Sequence, residues 1–199
     1  MIKLGVFDHE NDLLISGEDG NIFFQGRKLL HARYISDELV KKVGDIVEKH
    51  EDLAMLCTGL DGIYVSQKDY DRFIQWGKGQ FMPETPKELQ GNEKICKIHV
   101  LCRDGIEKVK ETINVIFSDV NTIADVQESG YGWIGITKKG SNKAEAVRFF
   151  QKFLNIKDDE TAVFGDSSND IPMFDLTQYS FAMKNALPDV RASANYVTK

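Results

Sequence analysis

The stretch Thr161-Ala162-Val163-Phe164-Gly165-Asp166-Ser167-Ser168-Asn169-Asp170-Ile171-Pro172-Met173 decides how the rest of the chain is read. Four apolar or β-branched residues bounded by Gly165 predict a short buried strand that breaks into an acidic loop. In an open α/β sheet, ligands bind just beyond the carboxyl ends of such strands, and Asp166 stands there. Asp170 follows four residues later, so a loop turning into a helix would bring both carboxylates toward one point. Hard oxygen ligands of this kind suit a hydrated Mg²⁺ that also touches a phosphate. The competing reading is a polar loop capping a helix, because Ser, Asn and Asp are common cap residues.

Outward from that loop, the chain reads as an ordinary water-soluble enzyme. Its 199 residues are enough for one large domain or two small ones. The 25 basic and 31 acidic residues leave a net charge of −6, and no basic stripe points to nucleic acid. No run of 18 apolar residues and no leader pattern predicts a membrane span or export, so the expected location is cytoplasmic. The three cysteines are too few and too oddly counted for a disulfide framework. A metal reading of Cys96, His99 and Cys102 fails on spacing, and strand alternation puts His99 on the face opposite both cysteines.

Three stretches are visible along the chain. Leu13 to Ile15 and Ile22 to Phe24 read as short strands around the turn Gly17-Glu18-Asp19-Gly20. Ser36 opens a helix with Leu39, Val43, Ile46 and Val47 at helical spacing. Strands follow at Leu53 to Cys57 and Ile63 to Val65, then a short helix at Tyr70 to Trp76 and a Gly- and Pro-marked loop, Gly77 to Asn92. A strand at Ile95 to Cys102, a helix with Ile106, Val109, Ile113 and Ile116 or Phe117 on one face, and strands at Thr122 to Val126 and Trp133 to Ile136 complete the middle. That order predicts an α/β layer of its own, sheet on one side and helices on the other. Phe73, Trp76 and Phe81 read as packing residues, with a substrate surface as the alternative.

The third stretch starts at Ser141. Asn142 and Glu145 have capping-box spacing, and Val147, Phe150 and Leu154 mark the buried face of a helix running to about Ile156. Lys143 is out of place there, because a cation in the first turn opposes the helix dipole. A nearby anion removes the objection, since a helix N-terminus and a lysine together suit phosphate. Lys138 and Lys139 precede Gly140 and fall outside the helix.

The string Gly165-Asp166-Ser167-Ser168-Asn169-Asp170-Ile171-Pro172-Met173 closely resembles the fourth signature motif of haloacid-dehalogenase-type phosphatases, in particular the Cof-like group with its large inserted cap. The resemblance implies that Asp166 is a metal ligand, Asp170 a second metal-site acid and Asn169 a loop-ordering group, with Mg²⁺ as cofactor. It implies that Lys143 orients the nucleophile and neutralises phosphate charge. Ser180 to Ala186 resembles the strand ending in an Asn-Ala pair near the active site, which makes Asn185 a substrate-contact candidate, although Lys184 replaces the usual glycine. The implied fold is α/β: a partial Rossmannoid core of three α/β/α layers carrying an α+β inserted cap. Residues 1–24 would be a core fragment, 25–137 the cap and 138–199 the core with the metal loop.

The family reaction also needs an Asp nucleophile with a second Asp two residues on, and a Ser or Thr at the end of a second strand. Asp8, at the end of Ile2 to Phe7, is the one nucleophile candidate, but Glu10 replaces the second Asp and Asn11-Asp12 the usual Gly-Thr. A second alignment makes Lys3-Leu4-Gly5 the end of a helix and Asp12 to Ser16 the next core strand, running into the cap without a gap. On that alignment the first two motifs are absent, and the chain also stops short of the usual final helix. The resemblance thus implies hydrolysis of a phosphate monoester on a small metabolite, a sugar phosphate among the candidates, with this chain expected to be inactive. The alternative is a non-catalytic remnant that binds metal and phosphate.

Overall fold

The computed structural model describes residues 14–17, 21–25, 28–77, 82, 87–129 and 132–199. Asp8, Glu10, Lys3 to Gly5 and Phe81 lie outside the described residues. The chain divides into two compact units: Met1–His31 with Ser141–Lys199, and the inserted Ala32–Gly140. Both mix helix and strand, and the fold class is α/β.

In the first unit, β1 (Leu14–Gly17), β2 (Ile22–Gln25) and β3 (Lys28–Ala32) form a three-stranded sheet, with β1 and β2 antiparallel. Among the described residues Leu14–Gly17 pairs with Ile22–Gln25, the two strands the sequence suggested; Asp12 and Leu13 lie outside the described residues. A separate sheet holds β9 (Ala162–Gly165), β10 (Tyr179–Ala182) and β11 (Tyr196–Val197), all parallel, with β10 in the middle. Helix α5 (Lys143–Leu154) precedes β9, α6 (Ile171–Phe174) links β9 to β10, and α7 (Pro188–Ser193) links β10 to β11. Ala144, Met173, Phe174 and Val190 from the helices pack with Val163 and Ala182 from one face of the sheet. Phe23 is buried and stacks on Phe149 at 4.5 Å, tying β2 to α5. Leu154, predicted to be buried, is exposed, because α5 seats Ala144, Ala146 and Gln151 inward instead.

The inserted unit is built on a five-stranded sheet. Its strands are β4 (Leu53–Gly59), β5 (Gly62–Tyr64), β6 (Ile95–Cys102), β7 (Ala124–Glu128) and β8 (Trp133–Lys138), in the order β5-β4-β6-β8-β7, antiparallel throughout. Helix α1 (Asp37–Glu48) begins where Ser36 Oγ accepts the Leu39 N–H, with Asp37 and Glu38 in the first turn complementing the dipole. Its stripe Leu39, Val40, Val43 and Val47 buries against Leu53, Cys57, Ile98 and Val100. Helix α3 (Ile106–Glu111), the wide turn Thr112–Ile116 and α4 (Ser118–Ile123) bring Val109, Phe117 and Val120 to the same face. The strand predicted from Thr122 starts at Ala124, because Thr122 Oγ1 donates to the Asp119 carbonyl and prolongs the helix.

Helices do not lie on one side only. Helix α2 (Gln67–Gln75) packs Phe73 on the opposite face, with Ala54, Leu56, Leu101 and Trp133. It also covers the edge of β4 that β5 does not reach. Arg72 Nη1 donates to the Leu53 carbonyl at 2.7 Å, and the Asp69 carboxylate accepts the Met55 N–H. His99 bonds Thr58 Oγ1 at 3.0 Å and meets Trp133 edge-on, while Cys102 belongs to the α1 face. Lys139 pairs with Asp125 at 3.2 Å and caps the carbonyls of Asn121 and Ala124, a purely local brace.

Candidate active site

The site sits at the carboxyl end of β9. There Asp170 turns inward. Its Oδ2 accepts the backbone N–H of Asp166 at 2.9 Å and of Ser167 at 3.1 Å, and its Oδ1 accepts from Lys143 Nζ at 2.5 Å. Only 3 % of the residue is exposed. Burial pushes its pKa up, but the Lys143 bond and the two backbone donors outweigh burial and hold the carboxyl below the usual range. Gly165 is required beside it, since a Cβ there would overlap the Asp170 side chain, with Oδ2 only 2.9 Å away.

Lys143 is the first residue of α5, placed by Asn142, whose Oδ1 accepts the Glu145 N–H at 3.0 Å. Its ammonium also reaches Asn169 Oδ1 at 3.3 Å. The anion that relieves a cation in the first helical turn is thus the protein's own Asp170. Lys143, Asn169 and Asp170 form one connected set, joined through the backbone to Asp166.

Asp166 points outward and is exposed. Among the described residues its carboxylate has no hydrogen bond or ion pair, and no three His, Cys, Asp or Glu side chains converge on one point. One unengaged carboxylate at a strand end fits Mg²⁺, which keeps several waters and takes one or two carboxylates plus phosphate oxygens. Asn185 is exposed in the turn after β10, on the same strand-end side, because β9 and β10 are parallel and the Met183 N–H bonds the Gly165 carbonyl at 2.8 Å. Sequence reasoning treated Gly165 only as a strand terminator. The signal for its steric role is a glycine five residues before an acid that must fold back on it.

A family model described as haloacid dehalogenase-like hydrolase matches residues 5–199. The 5-amino-6-(5-phospho-D-ribitylamino)uracil phosphatase of Escherichia coli K12 is 36 % identical over 91 residues, covering 46 % of this chain and 32 % of the relative. A phosphoglycolate phosphatase of Methanothrix thermoacetophila is 33 % identical over 144 residues, covering 63 % of this chain and 64 % of its own. Among solved structures, SMU.1108c of Streptococcus mutans UA159 aligns with a TM-score of 0.77 at 25 % identity, over 95 % of this chain and 72 % of that one. The chain spans about a third to two thirds of the length of these two curated relatives.

Proposed function

The chain belongs to the haloacid dehalogenase-like hydrolases, and on that footing we propose that it carries the metal and phosphate site of a phosphate monoester hydrolase for a small phosphorylated metabolite, a sugar phosphate among the candidates. The observation that carries the reading is the Lys143–Asp170 bond, which places an ammonium beside the loop that bears Asp166. Asp170 and Asn169 take two of the three N–H directions of Lys143, and the third serves a phosphate oxygen. Asp166 would hold Mg²⁺, which when bound screens the charge of the phosphate. Asp170 acts from behind: it keeps the loop closed and the lysine aimed. Asn185, on the neighbouring turn, would contact the rest of the substrate. The phosphatases of Escherichia coli and Methanothrix act on small phosphorylated metabolites, which supports that substrate class.

Turnover needs a nucleophile, and Asp8 is the sequence's candidate. Its partner Glu10 is one methylene longer than the family Asp and delivers its proton from a different point, so the chain alone is expected to bind without turning over. Calorimetric titration with MgCl₂ should give heat with the natural chain and none with Asp166→Ala. Equal heats would remove Asp166 from the metal site. An aryl phosphate and a panel of sugar phosphates should show no turnover by the chain or by Asp8→Asn. Turnover lost in Asp8→Asn would make Asp8 the nucleophile and the chain an active phosphatase.

A further inference from the structure

The inserted unit carries a groove of about 780 Å³ bounded by α1, α2 and the loop 89–93, beside the Asp69–Arg72 pair that closes the β4 edge. The volume is that of a small-molecule site, and Val40, Val47, Met55, Leu89 and Ile95 give it an apolar floor. Gly44 lies inside α1 and lines the groove. Packing does not call for a glycine there: a Cβ would meet only Met55 Cε, at an ordinary 3.6 Å, and glycine weakens a helix interior. The missing side chain leaves the floor open.

Arg72 brings a directed polar group to this floor. Its side chain is only 12 % exposed, and Nη1 is committed to the Leu53 carbonyl and to Asp69 Oδ1. Among the described residues its Nε and Nη2 N–H groups have no partner, and together they are a fork that takes a carboxylate through parallel hydrogen bonds. Lys41 and Lys68 add positive charge to the lining, but so do Asp37, Asp45 and Glu48 negative charge, and among the described residues none of these three carboxylates is in an ion pair. A polyanion would be repelled by them, whereas a single carboxylate seated on Arg72 is not.

We infer that this groove binds a small amphipathic monocarboxylate, its head on the Nε–Nη2 fork of Arg72 and its hydrocarbon body over Gly44 and Met55. Burial of the guanidinium limits competition from water for the paired bonds, and the covered carbon surface adds the hydrophobic share. The groove uses none of Lys143, Asp166, Asn169 or Asp170, so failure of the Mg²⁺ titration leaves the inference standing.

The test is titration of the full, isotope-labelled chain with sodium octanoate, followed through its amide shifts. The amides of Gly44, Met55 and Arg72 should shift saturably. Arg72→Lys keeps the charge and loses the fork; Gly44→Leu keeps every polar group, favours the helix and fills the floor. Each should weaken binding roughly tenfold or more, the worth of a charge-assisted bond pair. Octanol and octylamine carry the same hydrocarbon body and should bind roughly tenfold more weakly than octanoate. No saturable shift at those amides, octanol binding as well as octanoate, octylamine binding more tightly, or unchanged affinity in Gly44→Leu or Arg72→Lys would each overturn the proposal.

Discussion

Lys143 Nζ lies 2.5 Å from Asp170 Oδ1, joining the first turn of α5 to the loop after β9 across 27 positions of sequence. The bond solves two problems at once: it neutralises a buried carboxylate and removes the clash between a lysine and the helix dipole.

Breaking it from either side should cost stability. Lys143→Met leaves Asp170 buried without its cation, and Asp170→Asn removes the charge that holds the lysine. Each should lower unfolding free energy in urea by about 1.5 to 3 kcal/mol, the range for hydrogen bonds to charged groups. The coupling in the double-mutant cycle should be about 1 to 2 kcal/mol, below that of a fully buried pair, because 37 % of the Lys143 side chain faces solvent. Additive losses would show that the two groups do not act together.

The same carboxylate sets an acid limit. Its pKa in the fold is below the usual range, so the folded state favours the charged form. The resulting stability is fully present above the ordinary carboxylate range and disappears as pH falls through the folded value. Urea denaturation at a series of pH values should show the difference between the natural chain and Asp170→Asn shrinking toward acid.

Gly165→Ala should be far more disruptive than the loss of conformational freedom in one glycine suggests. The added Cβ meets Asp170, and overpacking of this kind costs about 1 to 3 kcal/mol. The loop must then open, so calorimetry should show Mg²⁺ binding weakened together with stability, whereas Asp166→Ala should affect only the metal.

Asp69→Ala should expose the edge of β4. The substitution deprives the Met55 N–H of its acceptor and Arg72 of its carboxylate partner, leaving Arg72 its bond to the Leu53 carbonyl. Amide exchange at Met55 should quicken, with a loss of about 1 to 3 kcal/mol from the unsatisfied donors. Exchange unchanged at Met55 would mean the helix does not guard that edge.

Cys57 is fully buried beneath α1, and burial above all pushes its thiol up to about 12. Iodoacetamide should leave it unmodified in the native protein and label it in denaturant, as mass mapping of the peptide would show.

Much of this was legible in the residues. Ala162 to Gly165 followed by two acids four apart reads as strand and acidic loop, Ser36 and Asn142 read as caps, and Val43 and Val47 read as one helix face. What escaped depends on contacts that no local pattern encodes. Lys28 to Ala32 holds only exposed and half-buried residues and becomes a strand by joining the β1–β2 sheet. Tyr70 to Trp76 suggests a helix, but not that Asp69 and Arg72 would serve as backbone partners for a strand edge. The spacing of Asp166 and Asp170 placed both on one loop. It could not say that one faces the solvent while the other turns back on its own glycine.

Arg33 Nη1 holds the Gly140 carbonyl at 3.1 Å, and the Gly140 N–H holds Asp125 Oδ2 at 2.8 Å, so the two ends of the inserted unit are clasped 107 positions apart. Loop-closure entropy grows with the logarithm of length, and an open loop of roughly a hundred residues costs about 3 kcal/mol more to close than one of about four. The clasp shifts that cost onto the folding of the insertion itself. With its ends held together by Arg33 and Gly140, the insertion closes on its own account, and a permuted chain that opens it elsewhere should leave the outer unit's folding rate nearly unchanged.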